Sequence, residues 1–212
     1  MIEVDVWADV RCPWCWIGSR RLRRAADVAG VTVRVRHRSF LLEPDGPVSP
    51  GLTTAHVATT EWGLPAARWE AKSQQIRAQG SLEGLDIDVD GALMFDSHRV
   101  HRLLKVAAAS ADIDTDLAWD AAFAAQFSQG ADLGDQDVLS GLALGWGLSD
   151  TAIADALTNE RYAAQVDEDI AEAQSLPVAS VPTIVTADGE RISGASSLGD
   201  LVAFLTRVGA GR

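Results

Sequence analysis

Three short stretches, Ile2-Glu-Val-Asp-Val-Trp7, Cys12-Pro-Trp-Cys15 and Val31-Thr-Val-Arg-Val-Arg-His-Arg38, decide how this chain folds. The first alternates apolar, mostly β-branched residues with acids, the period-2 pattern of a half-buried strand. The third alternates valine with polar residues and gives a second strand. Between them, Pro13 suits the first turn of a helix, where its missing N–H would have no intrahelical partner. From Trp14 to about Ala29, the residues Ile17, Leu22, Ala25 and Val28 mark an apolar side and the arginines the wet side. Gly30 is the expected stop. Strand, helix and strand in about 40 residues form a βαβ unit, whose crossover requires the two strands to pair in parallel.

Beyond this unit, the turn-rich segment 43–52 marks a boundary. The chain then turns Ala-rich, and its periodicity predicts helices over 53–62, 65–79, 97–110, 115–128, 135–146, 149–157 and 159–174. Asp96-Ser97, Asp135 and Ser149-Asp150 read as helix starts. Most of Trp62, Trp69, Trp119 and Trp146 are expected to pack between helices. The strand signal returns at 181–186, followed by an Asp188-Gly189 hairpin turn into 190–193 and a last helix over 198–208. The economical architecture is one α/β domain (residues 1–45 with 178–212) interrupted by an all-helical insertion (46–177).

Charge excludes some partners. The chain of 212 residues carries a net charge of −12, which argues against nucleic acid and anionic membranes. Within residues 1–38, eight arginines face four acids, a net of +4. The plain reading is a solvated basic helix face. The sharper one is a positive field favouring a thiolate or an anionic substrate near Cys12. No run approaches the roughly 20 apolar residues of a membrane span. Acids at Glu3, Asp5 and Asp9 stand where a secretory signal would be basic and then apolar, so a cytoplasmic location is expected unless a leader was removed.

Only two cysteines occur, three positions apart. So short a loop removes little chain entropy when bridged, which leaves redox or metal chemistry rather than stapling. At a helix start, Cys12 meets unpaired backbone N–H groups and the positive dipole end, which favour a thiolate. Cys15 lies one turn deeper. The expected division is therefore Cys12 as nucleophile and Cys15 as the resolving thiol. A zinc site completed by His98 and His101 is the competing set, disfavoured by the 82 residues between Cys15 and His98. No metal site is assigned. Asp9 is a turn-stabilising residue or a proton acceptor for the resolving thiol. His101, on an apolar face with Val100, Leu104 and Ala108, is a core histidine or a second proton-transfer group. His37 and His56 are expected to be structural or surface residues.

These motifs resemble the DsbA family of thioredoxin-fold proteins, in its FrnE-like cytoplasmic branch. The resemblance is carried by Asp9-x-x-Cys-Pro-Trp-Cys-x-Ile-Gly18, Arg38-Ser-Phe-Leu-Leu-Glu-Pro-Asp45, His101-Arg-Leu103, and Ser180-Val-Pro-Thr183 with Gly194-Ala195. It implies a thioredoxin-like fold split by a large helical insertion, and a cis Val181-Pro182 peptide facing the cysteines. It also implies that Trp14, Val181 and Pro182 contact substrate, Val181 pairing its backbone with the bound chain. Asp96-Ser97, Trp16 and Ser180 depart from the branch's usual Asn-Thr, Tyr and Gly.

The resulting expectation is a disulfide oxidoreductase or isomerase acting on protein or small-molecule disulfides. Its redox centre is its own dithiol, with no other cofactor and a low-molecular-weight thiol as an optional co-substrate. In a reducing cytosol it should run mainly as reductase or isomerase. The alternative is a glutathione-like thiol-dependent isomerase or transferase, similar to 2-hydroxychromene-2-carboxylate isomerase. Oligomeric state stays open, a dimer included.

Overall fold

The chain is described by a computed structural model that covers residues 1–210. β1 (Ile2–Ala8), α1 (Pro13–Ala29) and β2 (Val33–Ser39) form the first unit. Seven helices follow: α2 (Thr54–Thr60), α3 (Ala66–Ser81), α4 (His98–Ala109), α5 (Thr115–Phe127), α6 (Gln136–Gly145), α7 (Asp150–Thr158) and α8 (Glu160–Ser175). The chain closes with β3 (Thr183–Thr186), β4 (Arg191–Ser193) and α9 (Leu198–Ala210).

The strands form one sheet in the order β2-β1-β3-β4. β1 and β2 pair in parallel, from Ile2 opposite Val33 to Ala8 opposite Ser39, as the βαβ reading requires. β3 runs antiparallel to β1, and β4 antiparallel to β3. β2 begins two residues later than its sequence pattern, because the Val31 N–H is bonded to Ala26 O at the α1 C-cap. Gly30 holds that cap in the left-handed region, with φ 65°, which glycine adopts without steric cost.

Alternation along β1 divides its side chains between two faces. Ile2, Val4 and Val6 join Ile184 and pack on Leu22, Ala25 and Ala26 of α1 and on Leu201, Phe204, Leu205 and Val208 of α9. Val28, expected on this side, is exposed: the buried stripe drifts toward Ala25 and Ala26 in the last turns. On the other face, Glu3, Asp5 and Trp7 stand beside Arg34, Arg36 and Arg38. Here α8 is tied to the sheet through buried Asp169. Its carboxylate accepts from Arg38 Nη1 at 2.8 Å, from Ser39 N at 2.6 Å and from Lys105 Nζ, while Trp7 Nε1 donates to its backbone carbonyl at 3.1 Å.

The arginines correct the charge reading. All eight in residues 1–38 are paired with carboxylates. Most partners (Glu43, Glu83, Asp116, Asp120, Asp169 and Glu172) lie beyond β2, so the local excess of one sign is neutralised by the later acids. Arg20, Arg23 and Arg24 of α1 still keep partly exposed side chains, the solvated face the sequence offers, but each carries a carboxylate partner. Arg21 is buried outright: its guanidinium bonds Glu83 at 2.8 Å, the carbonyl of Ala195 at 3.0 Å and Gln79. The clue was its place on the stripe Ile17, Arg21, Ala25, at helical spacing.

Candidate active site

β1 delivers the chain to a tight turn, and α1 starts directly after it. Cys12 N bonds Asp9 O at 3.0 Å, Cys12 is the N-cap with extended φ −101°, and Pro13 occupies the first helical turn. Cys15 N then bonds Cys12 O at 2.9 Å. The two thiols are unbridged and unequal. Cys12 retains 6% of its surface and Cys15 none. Burial pushes the Cys15 thiol well above the ordinary cysteine range, and the adjacent Cys12 sulfur, to which it hydrogen bonds, pushes it further. Cys15 therefore holds its proton where Cys12 meets solvent.

Val181 and Pro182 are joined by a cis peptide bond and lie across from the cysteines. Cys12 Sγ stands 3.8 Å from the Val181 carbonyl oxygen. Gly18 of α1 lets this loop approach: a Cβ there would lie 2.8 Å from Pro182 Cγ. Thr183 fastens the loop from behind, its hydroxyl donating to Ser180 O at 2.7 Å and sharing a bond with Ser193 Oγ at 2.9 Å. Beside it lies a groove of about 380 Å³ lined by Trp14, Val181, Gly194, Ala195, Gln75 and Gln79. The two glutamines come from α3 and carry no sequence signature. Arg21 fixes both walls at once, through Gln79 on α3 and Ala195 on the loop after β4.

Asp9 and His101 are brought together, both fully buried, with His101 Nε2 3.5 Å from Asp9 Oδ1. Asp9 also accepts from the N–H groups of Arg11 at 3.1 Å and Leu42 at 2.8 Å, so it does stabilise the turn. Burial alone would raise its pKa. The bonds and charge of His101, with the Leu42 and Arg11 amides, outweigh burial and hold it below the usual carboxylate value of 3.8. The Asp9 backbone N–H faces Cys15, and its hydrogen bond favours the thiolate there, while the Asp9 charge opposes it. His101 meets Trp119 edge-on at 5.3 Å, and His37 stacks on the same indole at 5.1 Å with Nε2 2.5 Å from Asp116. Of the apolar neighbours expected around His101, Val100 and Leu104 are buried. Ala108 is exposed, because Leu103 and Ala107 take the buried side in the last turn.

The competing zinc set does not assemble. His98 bonds Asp96 at 2.6 Å, and His101 turns to Asp9. Among the described residues no group of three or more His, Cys, Asp or Glu side chains is placed to hold a metal ion. Trp16, in place of a phenol, donates its indole N–H to Asp120 at 2.8 Å. Asp96 rather than Ser97 caps α4, accepting from His98 N at 3.0 Å. His56 is exposed on α2.

A dithiol at the head of α1, facing a cis-proline loop on a four-stranded mixed sheet, defines a thioredoxin-like protein. The chain belongs to the DSBA-like thioredoxin domain family, which matches residues 3–206. Its structure is similar to a probable DsbA oxidoreductase from Streptomyces coelicolor, with 26% identity and TM-score 0.91 over 100% of this chain and 92% of that one. At the level of fold it is also similar to 2-hydroxychromene-2-carboxylate isomerase (17% identity, TM-score 0.68, 99% and 97% covered). The cytosolic disulfide reductase DsbM from Pseudomonas aeruginosa shares the fold too (19% identity, TM-score 0.63, 100% of both chains). A comparison with curated protein sequences finds no match.

Proposed function

We propose that the protein is a thiol-disulfide oxidoreductase or isomerase in which Cys12 attacks and Cys15 resolves. The observation that carries this reading is the asymmetry of the pair: Cys12, at the helix start, keeps the only surface the two buried thiols expose, and Cys15 is wholly covered with its proton held. Cys12 as thiolate attacks a substrate disulfide. The substrate S–S bond breaks, a mixed disulfide forms, and the first substrate thiolate leaves and takes a proton. Cys15 then gives up its proton and attacks the Cys12 sulfur. The Cys12–Cys15 disulfide forms, the second substrate thiol departs, and two electrons have passed to the substrate.

Substrate contacts fall to Trp14 and Val181, which line the groove with Gln75 and Gln79, and to Pro182 of the adjoining cis peptide. The Asp9–His101 pair handles the proton that leaves Cys15: Asp9 stays a carboxylate, and the imidazole beside it exchanges the proton. No resident cofactor is required by this chemistry, and an external dithiol or low-molecular-weight thiol returns the enzyme to its reduced form. The substrate is a disulfide-containing protein or small molecule. No helix among the described residues is long and apolar enough to cross a membrane. A cytoplasmic, FrnE-like reductase or isomerase is the form we favour, for which DsbM, by its name, is a cytosolic precedent of the same fold.

Cys15→Ser protein should accumulate mixed disulfides through Cys12, identifiable by mass spectrometry after acid trapping, and Cys12→Ser should not. Failure of Cys15→Ser to trap any partner, together with no disulfide reduction by the wild type, would refute the assignment. The second reading, a thiol-dependent isomerase, draws on the likeness to 2-hydroxychromene-2-carboxylate isomerase. It requires turnover that survives Cys15→Ser and depends on added glutathione.

A further inference from the structure

On the other flank of Cys12 from the groove lies a hollow of about 310 Å³ whose lining includes Arg11, Trp62, Leu42, Leu93, Met94 and Gln126. Two of its polar side chains are deeply buried and incompletely partnered. Arg11, whose side chain keeps 6% of its exposure, spends Nη2 on Glu43 and on Met94 Sδ at 3.5 Å and leaves Nη1 without a partner. Gln126 donates Nε2 to Leu93 O at 2.9 Å and leaves Oε1 without one. A buried donor and a buried acceptor, both unpaired and both on side chains that line one hollow, are costly unless something entering it satisfies them.

We propose that this hollow is a second substrate subsite, which receives an apolar residue of a disulfide-bearing peptide and pairs with that residue's neutral peptide group. The proposal rests on the disulfide-exchange reading above and names its substrate class. Both atoms are covered, so each side chain turns toward the entering residue, whose peptide group then supplies a C=O for Arg11 Nη1 and an N–H for Gln126 Oε1. The walls choose the side chain: Trp62 and Leu42 stand 46% and 47% exposed on the rim, over Leu93 and Met94. Charge is disfavoured, because Glu43, which also lines the hollow, already pairs with Arg11. An added carboxylate would compete with Glu43, and an added cation would meet Arg11. Arg11 directly precedes Cys12 and Trp14 follows it by two, so a substrate chain crossing Cys12 meets the hollow on one side and the groove on the other.

Full-length protein carrying Cys12→Ser and Cys15→Ser reads binding without exchange. N-acetyl-leucinamide, N-acetyl-lysinamide and the α-amide of N-acetyl-aspartic acid are titrated in turn. The Trp62 indole N–H signal, assigned by its loss in Trp62→Phe, is followed by NMR. The leucine probe is expected to shift this signal saturably and to bind about fivefold or more tightly than either charged probe. Gln126→Leu should weaken it about fivefold. Leu42→Asp, on the exposed rim where folding tolerates it, should abolish it. An unmoved Trp62 signal, equal binding of all three probes, or unchanged affinity in both variants overturns the subsite. In wild type, a disulfide peptide with leucine beside its half-cystine should show a higher kcat/KM than one with aspartate there. Probe binding without that preference overturns the assignment to the substrate chain. Wild type that reduces no disulfide while the leucine probe still binds refutes the exchange reading and leaves the amide site standing.

Discussion

Asp9 is the residue through which the turn, His101 and Cys15 are linked. Its carboxylate takes two backbone N–H groups and faces His101, and its own amide faces the Cys15 sulfur. Asp9→Asn keeps the shape and removes the charge. The Cys15 thiol should then titrate lower, read as thiolate ultraviolet absorbance in a Cys12→Ser background, because a repelling anion is gone. Stability should drop by about 2 kcal/mol in urea unfolding, the scale of hydrogen bonds to a charged group. Gly18 acts by having no side chain. Gly18→Ala places a Cβ 2.8 Å from Pro182 Cγ, so either α1 or the loop must shift. The expected result is a loss of about 1–3 kcal/mol, typical of overpacking. Reduction of a model disulfide should slow as well, because Val181 no longer sits against Cys12.

At the scale of elements, α1 is held in three directions by arginines that its sequence presents as a basic face. Arg20 makes a two-pronged bond to Asp120 of α5, at 2.9 and 2.7 Å. Arg21 reaches Glu83 just past α3 and the loop after β4. Arg23 donates to the Asp116 carbonyl at 3.1 Å. Of these, only Arg21 is buried with a buried partner, at 6% and 4% side-chain exposure. Arg21→Met should cost about 3–5 kcal/mol, since Glu83 would keep only the outlying Arg24. Adding Glu83→Gln should return part of that loss by removing the stranded charge, a non-additivity readable from urea midpoints. Groove geometry should not recover, because the Ala195 carbonyl and Gln79 still lack their shared donor.

For the molecule as a whole, several carboxylates are held below their ordinary values in the fold. In Asp5, Asp9 and Asp116 burial pushes upward and is outweighed by Arg36 and Arg38, by His101, and by His37 respectively. Such groups bind protons more readily when unfolded, so their stabilisation is present above the unfolded value and is lost as pH falls through the folded one. The melting temperature should therefore stay nearly level from about pH 7 to pH 5 and fall below about pH 4. Calorimetry against pH checks this, and Asp9→Asn should show a shallower fall. A fall setting in above about pH 5 would contradict the assignment.

What the residues determined by themselves is what repeats locally. The period-2 strands at Ile2 and Val31, the helix start at Pro13, the Gly30 stop and seven successive helices follow from alternation, capping and turn chemistry within a few positions. The Cys-x-x-Cys pair narrowed its own chemistry to redox or metal work for the same reason. Tertiary structure alone decided what pairs with the buried arginine of α1, that Asp169 ties α8 to β2, and that Gln79 and Gln126 stand at the groove and the hollow. Those outcomes depend on which distant element lies opposite. A charged or amide side chain shows the same local pattern whether it meets water or a partner more than 30 positions away.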